Sequence, residues 1–308
     1  MSGQTEQFTH RQACTDPQRR QWLGVLVALG VPVALGAPGL AQAATSVQSP
    51  VQRLITLGGA VTEVVYALQA QTLLVATDTT SLFPEAATQT PKVGYLRQLA
   101  AEGLLSLRPD AIVGAGEAGP AVVLEQVRAA GVRVELVPTT HDFAEVLRKV
   151  QVVGEITGRV AQATVLAKQL QQQWSDVTHR VAQATRKPRA LYILSHNGSP
   201  MVAGTGTAAH ALLTLAGAHN AITAFSGYRP LTAEAMAAVA PQVIVNSTQG
   251  IEAMGGVDAF WQRPEWALTP AFARKALVMM EASHLLGFGP RLPSAVQMLH
   301  TEMLQATA

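Results

Sequence analysis

Cysteine is nearly missing from this chain: its 308 residues include one, Cys14, which stands ahead of the long apolar run near the start. Beyond that run there is no thiol, which excludes disulfides, Cys-ligated zinc, iron–sulfur clusters and cysteine nucleophiles together. Excess charge of one sign is missing too, with 22 Lys and Arg against 20 Asp and Glu and a formal net charge of +2. Residues 1–43 account for Arg11, Arg19 and Arg20 and for Glu6 and Asp16, so from residue 44 onward 19 basic residues face 18 acidic ones. Such a balance offers no field for nucleic acid or an anionic membrane, and no nucleic-acid partner is expected. Catalytic signatures are absent in turn: there is no Gly-x-Ser-x-Gly elbow, no Walker-type Gly-Lys-Ser/Thr and no HExxH. An enzyme is not expected.

The first 43 residues read as an address label and not as part of the fold. Arg19 and Arg20 precede an apolar stretch from Trp22 to Leu40, and Ala41-Gln42-Ala43 supplies small residues for cleavage before Ala44. Gln18-Arg19-Arg20-Gln21-Trp22-Leu23 is also similar to a twin-arginine signal, with Trp where Phe is usual, so Sec and Tat export both stay open. Gly24, Gly30, Pro32, Gly36, Pro38 and Gly39 thin the run, which argues against a permanent membrane anchor. Lipidation is disfavoured because a lipoprotein needs its Cys just after such a run. The expected location is the periplasm, after cleavage near Ala43, a compartment that suits a cysteine-free chain. About 265 residues then remain, enough for two lobes of ordinary size.

Past the leader, short apolar or β-branched runs alternate with amphipathic stretches, the pattern of βα units around parallel sheets. Strands are predicted at 53–57, 73–77, 111–114 and 132–137, with helices at 60–68, 100–107 and 121–130. Gly58-Gly59, Arg108-Pro109-Asp110 and Gly131 punctuate them as turns. Asp142, three residues before Glu145, predicts a helix start by capping-box spacing. A long helix follows over 159–185, where Val160, Ala163, Ala167, Leu170, Trp174, Val177 and Val181 form one apolar stripe, and Pro188 stops it. A second series runs through a strand at 190–195, helices near 207–216 and 233–239, strands at 242–246 and 276–281, and a last helix from about Ser294. The two series correspond: Glu102 to Val113 lays over Glu234 to Val245, each with a Pro seven residues after the Glu. The predicted fold is α/β, two Rossmann-like lobes with central, mostly parallel sheets joined by a long helix, with the ligand cleft between lobes. The N-terminal lobe is placed at 44–140, the connecting helices at 141–187 and the C-terminal lobe at 188–308.

The most informative stretch is Lys92-Val93-Gly94-Tyr95-Leu96-Arg97-Gln98-Leu99-Ala100-Ala101-Glu102-Gly103. Tyr holds a metal only where a cation or the metal itself favours the phenolate. Arg97 is such a cation, and Tyr is one of the few side chains that serve as an axial ligand to haem iron. The segment closely resembles the haem-binding proteins of bacterial periplasmic haem importers, class III periplasmic binding proteins whose K-V-G-Y-x-R-x-L-[SA]-A-E-G motif holds iron through its Tyr. The resemblance extends over most of residues 51–308, including Leu194-Ser195-His196-Asn197-Gly198, Gly227-Tyr228-Arg229-Pro230-Leu231 and Leu286-Gly287-Phe288-Gly289-Pro290-Arg291. It implies haem as the transported ligand, Tyr95 on the iron and Arg97 on the phenolate. It also implies delivery to an ABC permease with its ATPase, an outer-membrane haem receptor system upstream, and a monomeric carrier. A ferric-siderophore or cobalamin carrier of the same fold is the alternative.

The same resemblance assigns further residues. A His at the position of His196 approaches the haem from the opposite lobe or holds a second haem. Here Asn197-Gly198-Ser199-Pro200-Met201 follows, where the family usually has Gly-Gly-Met, and one or two haems both stay open. Tyr228 and Arg229 are expected in a loop forming a wall of the pocket, with Arg229 meeting a haem propionate through a charge-assisted bond. Glu102 and Glu234, which begin the corresponding helices of the repeat, are expected to dock the lobes on Arg residues of the permease. Either Glu would also complement a helix macrodipole.

Overall fold

A computed structural model describes residues 50–195, 200–230, 236 and 238–308. The expected leader, His196 and Glu234 lie outside the described residues. Four strands, β1 (Leu54–Leu57), β2 (Leu74–Thr77), β3 (Ala111–Ala115) and β4 (Arg133–Val137), pair in parallel in the order β2-β1-β3-β4. The central pair β1 and β3 is buried along its whole length, so both read as apolar runs and not as alternations. Their period-2 geometry still divides the core. Leu54 and Val113 meet α1 (Gly59–Ala67) and α4 (Phe143–Ile156) on one face, while Ile55 and Ile112 meet α2 (Ala101–Ser106) and α3 (Ala121–Ala129) on the other.

The connection between lobes is α4 followed by α5 (Val160–Gln183), whose 24 residues span about 36 Å. The helix packs against α4 and the C-terminal helix α11 (Leu292–Ala306), burying Ala163, Leu170 and Val177, one residue every two turns. Val160, at the head of the expected stripe, is 55% exposed, so the packed seam begins at Ala163. Gly154 lies inside α4. It allows the close approach of α5, since a Cβ there would fall 2.5 Å from the Ala163 Cβ. Asp142 caps α4 by accepting the Glu145 N–H at 2.7 Å. The Glu145 carboxylate returns further back than a capping box requires, accepting the N–H groups of Thr140 and His141 at 2.7 Å each.

The second sheet contains β5 (Arg189–Leu194), β6 (Met201–Ala203), β7 (His219–Asn220), β8 (Tyr228–Pro230), β9 (Val243–Ser247) and β10 (Leu277–Met280). Its order is β10-β9-β5-β6-β8, with β7 against β5; β9 and β10 run parallel to the central strand while β6 and β8 are antiparallel. Tyr228 and Arg229 therefore lie on an edge strand and not in the expected loop, with Tyr228 opposite Ala203 and Arg229 opposite Val202. A three-residue edge strand ending in Pro230 leaves no periodic trace in the sequence. Around the sheet lie α6 (Ala208–Leu215), α7 (Thr248–Ala253), α8 (Gly256–Gln262), α9 (Pro270–Arg274) and α10 (Ala282–Leu286). The helix expected near 233–239 falls mostly outside the described residues.

The correspondence between the two halves extends to individual bonds. The Asp110 N–H donates to the Arg53 carbonyl and the Gln242 N–H to that of Arg189, both at 2.8 Å. In return the side chains of Asp110 and Gln242 accept the N–H groups of Arg53 and Arg189, both at 2.9 Å. Arg108 and Ala240, two residues earlier, share a φ of 44°.

Candidate ligand pocket between the lobes

In an open parallel sheet, ligands bind beyond the carboxyl ends of the strands, where the strand order reverses. All four strands of the first sheet end on one cavity of about 460 Å³: Gly58 and Gly59 follow β1, Thr79 and Thr80 follow β2, Glu117 follows β3, and Thr139 and His141 follow β4. At the reversal between β1 and β3, Gly58 has a φ of +109° and a Cβ there would sit 3.3 Å from the Ala115 Cβ, so glycine is required. The opposite wall is residues 282–288, carried by α10, which packs on α6 and α11 of the second lobe.

Asp78 builds the floor. Fully buried, its carboxylate accepts the Gly58 N–H at 2.8 Å, the Thr80 hydroxyl at 2.6 Å and the Ser81 hydroxyl at 2.7 Å. The Tyr95 loop is tied to this floor through Thr79, whose N–H donates to the Gly94 carbonyl at 3.0 Å. Lys92 adds a peg: its ammonium donates to the Thr77 hydroxyl at 2.7 Å and to the carbonyls of Ser81 and Ala87 at 2.9 Å. Burial lowers the Lys92 ammonium below the ordinary lysine value, against the opposing pull of Asp78. On the far side of the turn Leu96 and Leu99 are buried in the core. Anchored on both sides, Tyr95 is 38% exposed at the cavity mouth beside Leu82, itself 50% exposed.

Arg97 donates to the Tyr95 hydroxyl oxygen at 3.2 Å, and its other terminal nitrogen lies 3.6 Å from a Glu117 carboxylate oxygen. Glu117 also accepts the Thr139 hydroxyl. Burial pushes the Glu117 carboxyl up, but the Thr139 hydrogen bond, a backbone N–H and the charges of Arg97 and Lys149 hold it below the usual carboxylate range. Tyr95, Arg97, Glu117 and Thr139 thus form one polar chain along the cavity wall.

The lobes meet directly beside this chain. Lys149 and Glu145, 3% and 2% exposed, pair at 2.5 Å, and Lys149 also donates to the Phe288 carbonyl at 2.9 Å. His141, at a φ of 53°, sets its ring 5.3 Å from that of Phe288. Arg291 pairs with Glu63 at 2.9 Å and lies over the Phe83 ring at 3.7 Å.

Of the residues singled out from the sequence, Tyr95 and Arg97 line the cavity, whereas neither Tyr228 nor Arg229 does. Burial raises the Tyr228 phenol, against hydrogen bonds from Thr207 and Ala209 and the charge of Arg97. Arg229 is exposed and stacks on Phe225 at 4.8 Å. Glu102 is exposed in the first turn of α2. His210, His284 and His300 bond Asn220, Ser294 and the Ala216 carbonyl. Sequence reasoning missed Glu117, His141, Lys149 and Phe288, which only the strand ends and the strap from the other lobe bring to the cavity. Among the described residues no three His, Cys, Asp or Glu side chains gather as a metal-binding group, and no helix is long and apolar enough to cross a membrane.

The family model described as periplasmic binding protein matches residues 54–283. The structure of the periplasmic haem-binding protein BhuT in complex with two haems is 40% identical, with a TM-score of 0.80 over 84% of this chain and 100% of that one. A periplasmic haem-binding protein from Pseudomonas aeruginosa is 35% identical, with a TM-score of 0.73 over 82% of this chain and 92% of that one. Among curated relatives, an uncharacterised ABC transporter substrate-binding lipoprotein of Bacillus subtilis is 24% identical, over 82% of this chain and 80% of its own length. A cobalamin-binding protein of Halobacterium salinarum is 22% identical, over 83% of this chain and 70% of its own. Proteins of this family carry substrates and do not transform them. The chain belongs to the periplasmic binding protein family, and haem-binding members are among its close structural neighbours.

Proposed function

We propose that this protein captures haem in the cleft between its lobes, with Tyr95 as axial ligand to the iron, and delivers it to an ABC permease and its ATPase. The observation that carries this reading is the Tyr95 hydroxyl, exposed at the cavity mouth with the Arg97 guanidinium 3.2 Å away. A fixed cation favours the phenolate, the form that binds iron. The rest of the cavity suits the ligand: an apolar patch of Leu82, Leu286 and Phe288 faces a flat hydrophobic ring, and polar groups gather to one side. A haem needs one such protein ligand, whereas a carrier of a bare metal ion needs several converging side chains.

The mature protein works in the periplasm, after removal of a leader near Ala43, on haem supplied through an outer-membrane receptor system. It acts as a monomer. A role for His196 at the haem rests on the family resemblance alone, as does one for Tyr228 and Arg229, which do not line the cavity. The relationship to a cobalamin-binding protein supports a second reading, a corrinoid carrier of the same fold. Titration of the purified protein with haemin and with cyanocobalamin separates them. Stoichiometric Soret changes with haemin and no response to the corrinoid are expected; tight corrinoid binding without haemin binding overturns the proposal.

A further inference from the structure

Glu117 is out of place in a pocket for haem, because a carboxylate beside the site repels the two propionates such a ligand carries. Its surroundings supply another role. One of its oxygens faces Arg97 at 3.6 Å and the other accepts the Thr139 hydroxyl, so it is held from both sides. Arg97 is forked between this carboxylate and the Tyr95 oxygen, which it reaches at 3.2 Å through its other terminal nitrogen. A guanidinium has five donors in a rigid fork and serves two acceptors at once. Its effect on the phenolate depends on how much of its charge a second anion has already neutralised. Lys149, the other cation acting on Glu117, is occupied by Glu145 and by the Phe288 carbonyl.

We infer that Glu117 is a positioning residue that shares the Arg97 guanidinium with Tyr95 and so sets how strongly the phenolate donates to iron. The inference rests on the haem reading above. With Glu117 ionised, its carboxylate offsets part of the Arg97 charge and leaves more electron density on the phenolate, which favours ferric iron. Without that charge, Arg97 turns wholly to the phenolate oxygen and weakens its donation. Thr139 takes part by fixing the carboxylate, with no contact to the ligand.

The test is Glu117→Gln, which keeps the size and a carbonyl acceptor for Thr139 but removes the charge. In the haemin-loaded protein the phenolate-to-iron charge-transfer band moves to higher energy, the ferric–ferrous potential rises and haem is released several-fold faster (about 3- to 10-fold), while thermal unfolding is unchanged. Because Glu117 acts through Arg97, the same substitution made on Arg97→Ala has no further effect on band or potential, the non-additivity of coupled sites. An unshifted band and potential in Glu117→Gln, or the same shift persisting on Arg97→Ala, overturns the inference while haemin binding itself stands. Wild type that takes up no haemin overturns the haem reading and this inference with it.

Discussion

Arg291 holds the lobes together with a single side chain. It pairs with Glu63 at 2.9 Å, approaches Glu281 at 3.7 Å and covers the Phe83 ring. Burial raises the Glu63 carboxyl above its ordinary value, and the Arg291 charge opposes that rise. Truncation in Arg291→Ala leaves a buried carboxylate without its cation. The expected loss is about 2 kcal/mol at neutral pH, below the ~3–5 kcal/mol of a fully buried pair because the Arg291 side chain keeps 22% exposure. The sign with pH follows from the raised value. Protonated Glu63 needs no cation, so the loss is full above the carboxyl's folded-state value and shrinks as pH falls through it. Urea unfolding of both proteins over a series from pH 8 down to pH 4 measures this; a loss that stays constant throughout assigns the effect to packing on Phe83 instead. At this scale the sequence exposed Tyr95 and Arg97, since a two-residue spacing inside one turn is local. Glu117, His141 and Lys149 were hidden because each joins the Tyr95 cavity only after β3, β4 or α4 has folded against the sheet.

The start of α2 faces outward. Glu102 sits exposed in the first turn of α2, directly after the Tyr95 loop, and Glu234 corresponds to it in the second half. We propose that the two Glu residues dock on cations of the permease, one from each lobe, which fixes orientation and speeds encounter more than it adds affinity. Glu102→Lys combined with Glu234→Lys is expected to leave haemin binding unchanged and to abolish uptake in cells carrying the cognate permease. Uptake that survives the double reversal reduces both residues to favourable helix starts. Elements were legible where they were long or fully buried: β1, β3, β9, α4 and α5 follow from apolar runs, a cap and a stripe. The two- and three-residue strands β6, β7 and β8 were not, because period-2 alternation needs more residues to register. Two of them, the antiparallel β6 and β8, turn the second sheet from parallel to mixed.

The whole molecule repeats one construction twice. Arg53 with Asp110 and Arg189 with Gln242 make equivalent junctions, so the repeat legible in Glu102 to Val113 and Glu234 to Val245 is matched in structure where each copy enters its strand. What the repeat did not reveal is its asymmetry. The cavity uses every strand end of the first sheet, whereas among the described residues the second lobe lines it with residues 282–288, pinned by Lys149 to the first lobe. On the proposed reading Tyr95 meets haem from the wall of the first lobe, and that contact is the central claim. Its most direct test is the resonance Raman and absorption spectrum of haemin bound to wild type and to Tyr95→Phe. The account predicts an iron–phenolate stretch and a charge-transfer band in wild type, both lost in the variant, with faster haem release and an unchanged fold. A variant that keeps both signals and the wild-type release rate contradicts it.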